Sequence, residues 1–81
     1  MSHTYHPKGV CSREIRFDID DDGRVRNVMF VGGCHGNTQG LARLAEGMLA
    51  TKLVDRLSGI RCGMRPSSCP DQLAKAVESV L

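Results

Sequence analysis

Between Ser12 and Asp20 the chain alternates: Ile15, Phe17 and Ile19 fall on one side, and Glu14, Arg16, Asp18 and Asp20 on the other. A period of two is that of a half-buried strand. Asp20-Asp21-Asp22-Gly23 then supplies a turn in which Gly23 is free to take positive φ. A second strand is expected from about Arg24 to Val31, closing a β-hairpin. Residues 1–10 are polar and read as a loose arm or a short edge strand, with His6 held extended by Pro7.

Beyond the hairpin the period changes. Asn37 or Thr38 is placed to cap a helix whose Leu41, Leu44, Ala45 and Met48 recur at i, i+3, i+4 and i+7, a core-facing stripe. Thr51 is expected to cap a short helix carrying Leu53, Val54 and Leu57, with Gly59 at its C′ position. For the last helix, Ser67 and Ser68 are good N-caps, Pro70 suits a first helical position and Asp71 favours the positive end of the dipole. Leu73, Ala74, Ala76, Val77, Val80 and Leu81 give it an apolar face, and Gln72, Lys75, Glu78 and Ser79 a wet one. The expected fold is α+β: a small antiparallel sheet, hairpin plus edge strand, packed against about three helices.

Composition narrows the class. A chain of 81 residues makes one domain, 1–81, with a single small core. Trp is absent and only Tyr5, Phe17 and Phe30 are aromatic, so that core is thin and a staple such as a metal would help it. A formal charge of +2, scattered and without interleaved aromatics, argues against a nucleic-acid partner. No stretch approaches the ~20 apolar residues of a membrane span. The first residues lack the apolar run of a signal peptide, so a cytoplasmic location with reduced thiols is expected. Four cysteines in such a chain point to metal binding or redox work rather than to disulfides.

Those cysteines, Cys11, Cys34, Cys62 and Cys69, fall in the connections between elements, where irregular backbone allows them to converge. Cys69 opens the last helix, where backbone N–H groups suit an anionic sulfur. Four thiolates fit tetrahedral zinc or an iron–sulfur cluster, although no Cys-x-x-Cys knuckle is present. Other readings stay open. Some cysteines can be small buried hydrophobes, Cys62 and Cys69 can form a dithiol pair if their Cα atoms come within ~7 Å, and His35 can replace Cys11 as a ligand. The acidic cluster at Asp18, Asp20, Asp21 and Asp22 lacks calcium-loop spacing and reads as a solvated turn. The glycine-rich run from Gly32 to Gly40 lacks the Gly-Lys-Ser/Thr of a phosphate loop. There is no Ser–His–Asp set, and Cys34 beside His35 has no evident orienting third group. The chemistry is that of a metal or thiol site, not of a complete enzyme.

The runs Gly9-Val10-Cys11-Ser12-Arg13-Glu14-Ile15, Gly32-Gly33-Cys34-His35-Gly36-Asn37, Gly47, Gly59-Ile60-Arg61-Cys62-Gly63 and Ser67-Ser68-Cys69-Pro70-Asp71-Gln72-Leu73-Ala74 closely resemble the TSCPD-domain family. All four cysteines and most glycines fall into place, over nearly the whole chain. Ser67 stands where the family has Thr, and His35 where Pro is expected. Such domains occur alone and at the C-terminus of cobalamin-dependent ribonucleotide reductases, and stand-alone members carry the label ribonucleoside-diphosphate reductase. Nucleotide reduction needs a radical-generating cofactor, a thiyl cysteine and a barrel to enclose both, more than this chain can supply. The resemblance therefore implies an accessory module, with a reductase as protein partner. It also implies Cys11, Cys34, Cys62 and Cys69 as metal ligands, with zinc as the expected cofactor. More distantly the chain resembles U-type iron–sulfur scaffolds, Cys34 and Cys69 matching two of their three cluster cysteines. A cluster scaffold is thus one alternative, and a Cys62/Cys69 dithiol partner of a reductase another.

Overall fold

A computed structural model describes residues 2–7, 12–32, 35–61, 63 and 67–81. The chain forms β1 (Ser2–Tyr5), β2 (Ser12–Ile19), β3 (Val25–Gly32), α1 (His35–Ala45), α2 (Ala50–Leu57) and α3 (Cys69–Glu78). The strands make an antiparallel sheet in the order β1-β2-β3, so the fold is α+β as expected. The N-terminal residues resolve the choice between arm and strand: Ser2 pairs with Asp18 and Tyr5 with Ile15 along the β2 edge. α1 packs on β3, α2 against α3, and α3 reaches the central strand β2. The core holds Ile15, Phe17, Val25, Leu53, Leu73 and Val77, filled in by Ala45, Ala50, Ala74 and Ala76. Small side chains let the helices approach closely but bury little apolar area each. The core is thin, as the composition implies.

The hairpin carries a bulge that the alternation in the sequence does not announce. Arg16 pairs with Met29 and Asp18 with Arg26, so Phe17 alone faces both Asn27 and Val28. Asn27 takes φ +55°, a left-handed conformation that Asn tolerates better than other non-glycine residues. Its Nδ2 donates to Asp18 (2.8 Å) and its backbone N–H to Glu46 (2.8 Å). One extra residue shifts the phase of the strand, so Val25, Val28 and Phe30 all contribute to the core while Met29 turns out to solvent. The acidic turn is internally satisfied: the Asp20 carboxylate accepts from the backbone N–H groups of Asp22 and Arg24 and from Arg26 Nε.

Several sequence expectations are corrected. Asn37 and Thr38 lie inside α1, which already begins at His35, and Thr38 is buried. The buried side of α1 runs through Thr38, Leu41, Ala42 and Ala45, against β3. At 3.6 residues per turn Leu44 sits roughly 110° away from its centre, and it is 76% exposed. Met48 is not helical. α1 ends at Ala45, and residues 46–49 run beside the start of β3, with hydrogen bonds from Gly47 N to Val25 O and from Val25 N to Met48 O (both 2.8 Å). Gly47 has φ +81°, and a Cβ there would meet Arg26 at 3.2 Å. Thr51 lies inside α2; the N-cap is Leu49, whose side chain has no acceptor to offer, and Ala50 N donates to Gly23 O. Gly59 does follow the C-cap Ser58, at φ +84°. In α3, Gln72 is buried rather than wet, and Val80 and Leu81 are exposed beyond the helix end.

The phase of α1 is directly testable. Leu44→Gln should leave the urea midpoint within about 0.5 kcal/mol of the parent. Leu73→Ala, at a fully buried position, should cost about 2–5 kcal/mol. Equal costs at the two positions would contradict the packing.

Candidate functional site

The Ser67-Ser68-Cys69-Pro70-Asp71 segment builds the start of α3. Ser68 is the N-cap in extended conformation, and its Oγ accepts from Asp71 N at 3.2 Å. Cys69 is the first helical residue and Pro70 the second, a place where a missing N–H costs nothing. Asp71 completes the first turn, favourable for an anion at the positive end of the dipole. Each of these roles was legible in the sequence, apart from the one-residue shift of Pro70.

What the sequence did not reveal is that Asp71 also reaches out of its helix. One carboxylate oxygen accepts from the backbone N–H of Gly59 at 2.7 Å. The other accepts from the Ser67 hydroxyl and pairs with Lys75 Nζ at 3.3 Å. Ser68 Oγ donates to Ile60 O at 2.6 Å, and Gln72 Nε2 donates to Ser67 Oγ at 2.8 Å. Both ends of the 60–68 segment are thus tied to one helical turn. Asp71 is only 3% exposed, so its charge is sustained by these donors rather than by water. The Ser67 hydroxyl, and then the Gly59 N–H and Lys75, hold its carboxyl below the usual carboxylate range against the opposing effect of burial. The Ser67-to-Asp71 spacing of four was the available signal, and it is weak without knowledge of where Gly59 lies.

Cys69 is half-buried at the head of this turn. Cys11, Cys34 and Cys62 lie outside the described residues, so the structure places one member of the predicted ligand set. Cys62 falls in sequence within the tied segment. His35, the substitute ligand, is the first residue of α1. Among the described residues no three His, Cys, Asp or Glu side chains gather as a metal site, the acidic turn included. The donor chemistry of four thiolates still suits zinc, a soft-tolerant ion that takes four sulfurs tetrahedrally.

Fold and site together define a small α+β module in which a cysteine heads a helix whose first turn clamps the preceding loop. The TSCPD domain profile matches residues 1–81. The chain belongs to the TSCPD-domain family, which associates it with ribonucleotide reductases. No curated protein and no solved structure matches it. No helix among the described residues is long and apolar enough to cross a membrane.

The clamp makes two predictions. Asp71→Ala strands the Gly59 N–H and should cost about 1–3 kcal/mol at pH 7 by urea denaturation, whereas Ser67→Thr, which keeps the hydroxyl, should cost less than about 0.5 kcal/mol. Because the folded pKa of Asp71 is lowered, its contribution is complete above the unfolded carboxyl value of about 3.9 and is lost as the pH falls through the folded value. The parent and Asp71→Ala should therefore converge in stability below about pH 4. A constant gap down to pH 2 would contradict the role of the charge.

Proposed function

We propose that this chain is a non-catalytic, zinc-binding accessory module of a cobalamin-dependent ribonucleotide reductase, with Cys11, Cys34, Cys62 and Cys69 as the ligands. The observation that carries the reading is the clamp around Cys69. Ser67, Ser68 and Asp71 are committed to hydrogen bonds that fix the helix start and both flanks of the 60–68 segment. Such an arrangement suits a ligand-bearing loop. It holds Cys69 at a fixed helical position and brings the chain on either side of Cys62 back to the same turn, lowering the entropic cost of assembling a site. Zinc, when bound, supplies a cross-link between the loops that a core rich in alanine lacks. In this reading the reductase chemistry itself belongs to the partner.

Elemental analysis of anaerobically purified protein should find about one zinc per chain without visible colour. Each of the four Cys→Ser substitutions should lower the zinc content, and chelation should lower the thermal midpoint. Iron with sulfide absorbance would move the assignment to a cluster scaffold. Absence of any metal, with four thiols titrating as reduced, would sink both, and a reversible Cys62–Cys69 disulfide would then identify a dithiol partner.

A further inference from the structure

Beside Leu44, at the junction of α1 and α2, lie two adjoining surface cavities. One, of about 220 Å³, is lined by Leu41, Ala45, Met48 and Leu57; the other, of about 430 Å³, opens toward Arg24, Leu49 and Lys52. Leu44 and Arg56 border both. At 76% exposure Leu44 is the most exposed large apolar side chain among the described residues, and Leu49 is exposed as well. The 46–49 connector that forms the floor is not loose. It is pinned to β3 through Gly47 and Met48, and Arg24 donates to Gly47 O at 2.8 Å. The smaller cavity is the apolar part of this trough; the larger is shallower and more polar, and the connector beside it is held in place.

Its rim is cationic. Lys52 and Arg56 are exposed, one helical turn apart on α2, and neither makes an ion pair among the described residues, while Arg24 stands at the far side. The acidic residue in the same wall, Glu46, is already engaged, accepting from Asn27 N and pairing with Arg26. The uncompensated charge facing the trough is positive. An apolar floor with unpaired cations on its rim is complementary to one kind of occupant: an amphipathic helix with apolar anchors and flanking carboxylates.

The same features argue against other occupants. A second copy docked about a two-fold axis would set Lys52 and Arg56 near their own counterparts, like charge against like. Nucleic acid needs faces for stacking, and no aromatic side chain lines either cavity.

We propose that the α1–α2 trough is a docking site for an acidic amphipathic helix of a partner protein, with Leu44 and Met48 receiving the apolar anchors and Lys52, Arg56 and Arg24 the flanking carboxylates. The proposal does not rest on metal at the cysteines, and the zinc content of each variant below reports on that reading separately.

The test uses the full chain as bait for a displayed library of helical peptides. Recovered binders are synthesised and measured by fluorescence anisotropy against the parent, Leu44→Asp and a Lys52→Glu/Arg56→Glu double variant, with circular dichroism confirming that each is folded. Enrichment of Asp and Glu around apolar residues spaced i, i+3 or i+4 is expected. Affinity should fall by about tenfold or more in each variant, the scale of losing a central anchor or two charge pairs, and should weaken with salt. Recovery of no such peptides, of basic peptides, or of peptides that bind all three proteins equally would overturn the proposal. Dimerisation in sedimentation that Leu44→Asp abolishes would overturn it in favour of a second copy. Co-pelleting with phosphatidylserine vesicles that Leu44→Asp abolishes would do so in favour of a membrane.

Discussion

The Asp71 carboxylate is the interaction on which the site depends. It is nearly excluded from solvent, and a buried anion without partners would be costly enough to protonate or to unfold its surroundings. Here the Gly59 N–H, the Ser67 hydroxyl and Lys75 Nζ supply its donors. Each donor comes from a different part of the chain: the end of α2, the segment before α3, and the second turn of α3 itself. Satisfying one charge therefore fixes three backbones relative to each other, and the position of Cys69 follows. The run of a serine, a cysteine, a proline and an aspartate is, in this fold, a capping device extended into a clamp.

A second constraint sits in the hairpin, on the same core face of the sheet. The bulge at Asn27 turns Val25, Val28 and Phe30 toward one face, and α1 lies over that face with Thr38, Ala42 and Ala45. Small residues on α1 permit close packing, and the larger Leu44 is rotated out as a consequence. The connector 46–49 then pairs with the chain at Val25, and Ala50 N donates to Gly23 O. Close helix packing on one side thus leaves an apolar trough on the other, and the cations of α2 give that trough its electrostatic character.

The two regions differ in character. One end holds a cysteine at a rigid helix start, flanked by a loop with a further cysteine in its sequence. The other presents a groove with charge to recruit a partner. A metal at the cysteines would add stability to a core built largely on alanine, and a partner in the groove would bring the module to the machinery that it serves.

By itself the sequence determined the hairpin, the existence of three helices, the cap at Ser68, the C′ glycine at Gly59 and the family. All of these are encoded by neighbours a few residues apart, through alternation, helical spacing or the φ preference of glycine. The tertiary structure decided the rest. Alternation could not show the bulge, because the left-handed turn at Asn27 depends on partners in Asp18 and Glu46. The stripe Leu41, Leu44, Ala45 and Met48 fits a helical period, but which side of α1 meets the sheet depends on how closely small residues let it approach. Gln72 looks polar and therefore wet until Ser67 is placed beside it. Likewise, Asp71 reads as a dipole partner in the sequence and becomes a clamp only because Gly59, twelve residues earlier, is folded back against it.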